Sequence, residues 1–495
     1  MSKIIIQNGN MCELDLPLKF AQKLYNEFAI RHPNAFYLRT RQRGMQNWDG
    51  KIHYITKTGQ FKIGLLPKVY DMCIEMGIKP KVVDMRQPLP KVSKVVTKIG
   101  KYKLRPEQEK AVKAVINNTI GGKPFHIGVL DYTVNAGKTL IMSSLYLTYK
   151  KQLKTLLITN DSDWLNQARE EFKQYLPGED ITFVQGKVLN WSNFTIGMVQ
   201  SISRNMRFYQ KELSQIDMVL VDEADQGGSK QYQNVITRLF NTRIRIGLSG
   251  TIYMSKLAKD KVKNMNLECF FGKVLAEFKL RDSIKKGYST KTVVKMVPGK
   301  PWYGNWESDY ISYKEIYDDS ITNSYTAWLM AYSRLRWNIN QGRYPALVVC
   351  KHIAHCENLY KFFKKKLGDA YNIAYVHVNT KSKLRQQIMK DFRDGKIDIL
   401  VSTTIIARGK NFPKLRYLLN AASMDSQEKS IQFLGRLVRT DKSKKKVYLD
   451  DLHYPGPYLD RHGKHRKQYY QRQELKVILL DKLWKKHPNH SLIKS

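Results

Sequence analysis

Short apolar runs recur along the chain, each set apart from the next by a segment of helical length. TLLIT (155–159), FTIGMV (194–199), DMVLV (217–221) and IRIGL (244–248) make one set. ALVVC (346–350), IAYVHV (373–378), IDILV (397–401) and KVYLD (446–450) make a second. Apolar runs of strand length predict strands covered on both faces, as in parallel sheets flanked by helices. The two sets predict two tandem α/β domains, over 104–277 and 278–455. Residues 1–90 are enough for a small α/β domain of their own. RQPLP (86–90), followed by a Lys-rich stretch, predicts a linker over 91–103. Within the first domain, YLRTRQRGMQNWDGKIHYI (37–55) reads as strand, turn and strand. Arg39, Arg41 and Arg43 would then share one strand face, with Lys51 beyond the turn, a row suited to gripping phosphates. Trp48 reads as a packing residue under the turn. Residues 456–495 form a basic extension that either contacts nucleic acid or packs on the second domain.

Composition narrows the class. The chain has 495 residues, 42% of them hydrophobic, which excludes a wholly disordered protein. No run approaches a membrane span, and MSKIIIQNGN lacks the apolar core of a secretory leader. The five cysteines show no CxxC spacing, so neither a disulfide framework nor a zinc site is expected, and a reducing, cytoplasmic setting fits. Lys and Arg number 85 against 43 acids, a net charge of +42. Such a surplus repels itself unless a polyanion neutralises it, and nucleic acid gains affinity by counterion release.

The chemistry begins at DYTVNAGKTL (131–140), between a predicted strand over 127–130 and a helical pattern. That is the context of a phosphate-binding loop, in which backbone N–H groups and the helix dipole face the anion. Asn135, Ala136 and Gly137 would cradle the phosphates of ATP. Lys138 would reach the β- and γ-phosphates, and Thr139 would ligate Mg²⁺. Tyr132 stands where a first Gly is usual, and Asn135 takes a position often held by Gly, which Asn's tolerance of left-handed backbone permits. DMVLV runs directly into Asp222-Glu223-Ala224-Asp225. Acids at the carboxyl end of a buried parallel strand sit where such sheets bind ligands. Asp222 would hold Mg²⁺ and Glu223 would activate the attacking water.

From here the chain resembles superfamily 2 helicases and translocases over roughly 104–455. Arg105-Pro106-Glu107-Gln108 is similar to the family's adenine-sensing element, with Gln108 the reader. TNDSDWLNQ (159–167) and MVQSI (198–202) are similar to strand-contacting motifs, which implicates Asn160 and Gln200. Ser249-Gly250-Thr251 resembles the motif that couples the ATP site to strand separation, together with Asp225. In 383–413 the resemblance implicates Thr403, Thr404 and Gly409. QFLGRLVRT (432–440) matches QxxGRxxR at Gln432, Gly435, Arg436 and Arg439, the two arginines being candidates for stabilising the transferring phosphoryl group. The family implies two RecA-like domains, neither enclosing ATP alone, so that hydrolysis drives opening and closing on a backbone track.

Although the acids spell DEAD, SGT and QxxGRxxR look more like the DNA-directed branches. RTRQRGMQNWDGKI (39–52), FKIGLLP and FFGKVLAEFKLRDSIKKGYSTK (270–291) resemble UvsW-type phage helicases. That resemblance implies a duplex-binding domain ahead of the motor and a soluble monomer or weak oligomer in the host cytoplasm. The implied substrates are forks and junctions, with RNA–DNA hybrids a further class. The implied work is branch migration, fork regression, unwinding and annealing. Thr133-Val134-Asn135 and Asp225 depart from these relatives. The alternatives are an RNA helicase of the same superfamily, a DNA-binding protein with a decayed ATP site, and a restriction-system translocase.

Overall fold

The computed structural model of the chain describes residues 2–42, 44–92, 94–149, 152–186, 188–252, 258–299, 312–407 and 412–480. The chain divides into two compact units, Met1–Phe278 and Lys279–Ser495. Among the described residues no helix is long and apolar enough to cross a membrane.

The first unit opens on a mixed sheet. Lys3–Ile6 (β1), Met11–Asp15 (β2), Gln60–Lys62 (β3) and Lys81–Asp84 (β4) lie in the order β3-β2-β1-β4, with β1 antiparallel to β2 and parallel to β4. Ile4 and Ile6 alternate inward and meet Val69 and Cys73 of the helix Leu66–Glu75. The same apolar core runs on through Val219, Val221 and Phe271, so this sheet and its neighbour are sealed together. Gly9 and Gly64 make the approach possible. A Cβ on Gly9 would lie 2.6 Å from the Leu239 carbonyl oxygen, and one on Gly64 2.1 Å from that of Glu268. The buried Arg245 donates to the Gly9 carbonyl (2.6 Å), Asn10 Oδ1 (2.7 Å) and the Phe270 carbonyl (3.2 Å). The expected linker also lies against the unit: Val96 N donates to Thr148 Oγ1 at 3.1 Å, and Ser144 Oγ to the Val96 carbonyl at 2.6 Å.

One expectation is corrected here. Arg39 and Arg41 are not on a strand but on the helix Ala35–Arg41; Arg43 lies outside the described residues. Lys51–His53 is a strand, but its antiparallel partner is Ala29–Arg31, on the far side of that helix. Helical spacing stacks the Arg41 guanidinium on the Tyr37 ring at 5.0 Å, and Thr40 Oγ1 donates back to the Phe36 carbonyl at 3.0 Å. Alternating arginines carry no apolar alternation to pin a strand face, so local helical bonds prevail. Trp48 is half-buried and donates to the Lys51 carbonyl at 2.9 Å, under the turn as expected.

The second sheet of this unit has eight strands: His126–Tyr132 (β5), Thr155–Thr159 (β6), Ile181–Gln185 (β7), Val188–Leu189 (β8), Phe194–Met198 (β9), Met218–Asp222 (β10), Ile244–Ser249 (β11) and Val274–Phe278 (β12). Their order is β8-β7-β9-β6-β10-β11-β5-β12, parallel except for the β7–β8 pair. The other unit has seven parallel strands: Lys291–Pro298 (β13), Ala346–Cys350 (β14), Ile373–Val376 (β15), Ile399–Thr403 (β16), Tyr417–Asn420 (β17), Lys446–His453 (β18) and Val477–Leu479 (β19), in the order β15-β16-β14-β17-β18-β13-β19. Both are RecA-like, and every apolar run of the two sets is a strand. Edge strands such as β12 escape the pattern because only alternate residues are buried.

Two adjacent carboxylates on β18 anchor helices on opposite faces of the last sheet, as strand alternation requires. Asp450 takes Arg334 of the helix Tyr325–Asn340 at 2.7 Å and the Tyr417 hydroxyl at 3.1 Å. Asp451 takes Arg466 at 2.8 Å, the Tyr470 hydroxyl at 2.7 Å and Asn420 Nδ2 at 2.9 Å. Arg466 and Tyr470 belong to the helix Leu459–Arg472, so this part of the extension packs on the sheet, and β19 then joins its edge. Removing one member of a buried pair strands the other charge. Arg466→Met is therefore expected to lower unfolding free energy by about 3–5 kcal/mol, with Asp451→Leu added to it restoring most of the loss, as read by urea unfolding.

Candidate nucleotide and nucleic-acid site

β5 ends at Tyr132, whose hydroxyl donates to the Glu107 carbonyl at 2.7 Å. The chain then turns through 133–137 into the helix Lys138–Thr148, which begins without a side-chain cap. Asn135 (φ 63°) and Gly137 (φ 72°) both adopt left-handed backbone, which Asn and Gly tolerate at low cost. The uncapped helix start leaves the dipole and first amides to act on an anion. Gln108 lies fully buried beneath this loop. Its amide donates to the Ala136 carbonyl at 2.8 Å and the Gly137 carbonyl at 3.4 Å, while its oxygen accepts from Arg105 N at 2.9 Å. Gln108 thus shapes the loop; a Cβ on Gly137 would sit 2.3 Å from Gln108 Nε2. Arg105 adds a bond to the Asn135 carbonyl at 3.3 Å.

β10 delivers Asp222 opposite that loop, with Lys138 Nζ 3.6 Å from Asp222 Oδ1. Burial pushes the Asp222 carboxyl up from its ordinary value, against the pull of Lys138. Burial also acts to lower Lys138, but the charges of Asp222, Glu223 and Asp225 outweigh it and hold the ammonium on. Asp222 Oδ1 is buried and accepts no hydrogen bond. A carboxylate oxygen left so, with the Thr139 hydroxyl residue in the first helical turn, suits a hard, oxygen-seeking cation such as Mg²⁺. Glu223 takes left-handed backbone (φ 54°) where the chain leaves β10.

β11 brings the next group. Ser249 Oγ donates to Asp225 Oδ1 at 2.7 Å, lies 3.2 Å from Thr251 Oγ1, and accepts from Thr251 N at 3.1 Å. Gly250 passes close to the phosphate loop: its Cβ would meet Thr133 Cα at 3.0 Å. At the ends of β6 and β9, Gln200 Nε2 donates to the Asn160 carbonyl at 3.4 Å, and Asn160 Nδ2 donates to Gln226 Oε1. The structure therefore gathers Gln108, 135–139, Asp222, Glu223, Asp225, Ser249, Thr251, Asn160 and Gln200 at one edge of one sheet. Gln226 was not singled out from sequence, although it adjoins the acid motif; Arg105 was named within the adenine-sensing element without a role of its own.

In the other unit, Thr403 ends β16 and is buried, and Thr404 opens a 3₁₀ turn and accepts from Lys429 Nζ at 3.2 Å. Gly409 lies outside the described residues. Gln432 and Arg436 lie one turn apart on the helix Gln427–Leu437, and Arg439 just follows it, its carbonyl accepting from Thr290 Oγ1 at 3.1 Å. The helix Leu459–Arg472 clamps the approach to these arginines. Arg466 donates to the Met424 carbonyl (3.0 Å), His465 and Tyr469 both reach Asp425 Oδ1 (3.0 Å), and Arg472 donates to Gln427 Oε1 (3.2 Å).

The chain is similar to known proteins over these segments. Residues 101–254 match the model described as type III restriction enzyme, res subunit, and residues 331–441 match the helicase conserved C-terminal domain. IRC3 of Saccharomyces cerevisiae is 24% identical over 377 residues, 70% of this chain and 51% of that protein. The chain thus spans about half the length of that relative. The ATP-dependent DNA helicase uvsW of Enterobacteria phage T4 is 21% identical over 437 residues, 82% of each chain. The structure of Mss116p bound to single-stranded RNA and AMP-PNP is similar in fold, with a TM-score of 0.54 at 14% identity over 80% of this chain and 82% of that one.

A raised carboxylate pKa favours the folded state's protonated form, so stability falls as pH rises from the ordinary Asp value through the raised one, and the deficit persists above it. Asp222→Asn is expected to raise the melting temperature at pH 7–8 and to change it little near pH 4, measured by thermal unfolding at both pH values. An equal gain at both would show that the buried charge is not the cause.

Proposed function

Because the chain belongs to helicase superfamily 2 and is similar to its UvsW-type phage members, we propose that it hydrolyses ATP to remodel branched DNA. The observation that carries the reading is the Lys138–Asp222 pair, 3.6 Å apart across an uncapped helix start, with Asp222 Oδ1 buried and unbonded. Lys138 and the amides of 135–139 bind the phosphates of ATP. Glu223 orients and deprotonates the attacking water. Mg²⁺, held by Asp222 and Thr139, supplies charge neutralisation on the phosphates when bound. Arg436 and Arg439 are assigned to the charge that develops on the transferring phosphoryl group, on the strength of the QxxGRxxR pattern.

The route from hydrolysis to nucleic acid runs through Ser249. Its hydroxyl joins Asp225 of the acid motif to Thr251, so a shift of the acids on phosphate release is felt at the coupling segment. Asn160 and Gln200, bonded to each other, with Asn160 bonded in turn to Gln226, are the neighbouring strand contacts in this reading. The net charge of +42 and the exposed Arg39, Arg41 and Lys51 favour a polyanionic duplex, bound by residues 1–90. Branched DNA is preferred over RNA because the segment Arg39 to Lys51, FKIGLLP and 270–291 resemble the UvsW type, and QxxGRxxR looks more like the DNA-directed branches. The RNA reading draws on the acid quartet Asp222–Asp225 and on the similarity in fold to the RNA-bound Mss116p.

ATP turnover is measured with single-stranded DNA, blunt duplex, fork, four-way junction and RNA duplex in parallel. Forks and junctions are expected to stimulate most; stimulation by RNA alone would transfer the assignment to RNA. Lys138→Ala is expected to lower turnover by about 10²–10³-fold, the scale of losing one charge-stabilising donor. Its DNA affinity should stay close to that of the unaltered chain. Retained turnover would remove the assigned site.

A further inference from the structure

A second aromatic and cationic surface lies in the Lys279–Ser495 unit, on the sheet face covered by the helix Tyr325–Asn340. Trp337 of that helix is 42% exposed. Three cations converge on its ring: Arg343 at 4.7 Å, Lys295 at 4.9 Å and Arg334 at 5.0 Å from the centroid. Arg343 also stacks on Tyr448 at 3.6 Å, and Lys446 lies 5.6 Å from the Tyr448 ring. Arg334 is neutralised by Asp450. Among the described residues, Lys295, Arg343 and Lys446 form no ion pair. Burial and the neighbouring guanidinium groups of Arg334 and Arg343 lower the Lys295 pKa, Asp450 opposing them only in part. Like charges collected round one exposed indole repel each other in the free protein, and a ring quadrupole offsets that only weakly at a solvent-facing site.

A ligand that relieves this must bring closely spaced anions and a flat apolar surface together. Single-stranded nucleic acid has both: phosphates for the cations and an unpaired base for the indole. A duplex keeps its bases stacked inside, and an acidic peptide offers charge without the flat ring. We propose that Trp337, Arg343, Lys295 and Lys446 form a contact for single-stranded nucleic acid, separate from Asn160, Gln200, Thr403 and Thr404, that holds an unpaired tail. The inference rests on the reading of the chain as a nucleic-acid motor and names a place where that motor holds a separated strand.

The test uses the full chain and a duplex bearing a single-stranded tail with 5-iododeoxyuridine, compared with the same duplex made blunt. Irradiation is expected to crosslink the tail to the peptide containing Trp337. Trp337→Ala is expected to weaken tailed-duplex binding by about 5- to 150-fold, the range for losing one base–aromatic stack, with blunt-duplex binding little changed. Trp337→Phe should retain most of the affinity, which separates lost stacking from lost folding. Lys295→Gln with Lys446→Gln should flatten the dependence of log affinity on log salt by about 1.4, two phosphates at single-strand slope. Equal losses on tailed and blunt DNA, crosslinks that all map elsewhere, or displacement of the tail from this surface by poly-glutamate of equal charge would overturn the proposal. ATP turnover on the same samples keeps the readings apart. An unstimulated ATPase counts against the motor, while the tail crosslink still reports on Trp337.

Discussion

Lys138 and Asp222 face each other because parallel strands cannot do otherwise. Every strand of such a sheet ends at the same edge, so whatever follows β5, β6, β9, β10 and β11 is collected there. That single constraint places the phosphate loop, Asn160, Gln200, the acid quartet and Ser249 within reach of one another. It also sets the electrostatics. A carboxylate at the end of a buried strand is poorly solvated, and here its Oδ1 has only an ammonium at 3.6 Å to answer it. In the proposed reading, such a site is held ready for cations and phosphates at some expense to the stability of the empty protein.

A second constraint is how closely other elements are joined to these sheets. Arg245, on the strand that carries Ser249, is buried with carbonyl and amide oxygens as its partners, two of them from the turn at Gly9 and Asn10. A guanidinium can be buried this way only if several acceptors converge on it, and those acceptors come from segments far apart in sequence. The N-terminal sheet is therefore fixed on the eight-stranded sheet, and whatever its exposed arginines bind is held in register with the strand leading to Ser249. In the other unit Asp450 and Asp451 do the comparable work, each orienting a helix through one arginine. The helix tied to Asp451 then steadies the residues that lead into Arg436.

Much of the candidate site was legible because its chemistry is local in sequence. AGKT, the acid quartet, SGT and QxxGRxxR each follow an apolar run or lie on a helix, and strand-then-motif order needs no long-range information. Gln108 was visible as a residue but not in its surroundings: its bonds to Ala136 and Gly137 join positions about thirty residues apart. Gln226 was passed over, and Arg105 was given no role of its own, because an amide or guanidinium at the margin of a motif looks no different from a solvated one. Arg39 and Arg41 misled because a polar segment without an apolar face fits strand and helix equally well.

The sequence by itself indicated two parallel-sheet domains and the residue types at the candidate phosphate loop, since continuous apolar runs admit few other arrangements and the motif residues are contiguous, whereas strand order and strands such as Tyr417–Asn420 came only with the structure. Only the tertiary structure decided the helix under Arg39 and Arg41, the fixing of the first 90 residues through Arg245, the docking of Leu459–Arg472 through Arg466, and the cations gathered on Trp337. Each of those depends on which distant atoms meet. A hydrogen bond or buried charge is settled by its partner's position in space, and no local pattern of hydrophobic and polar residues encodes that.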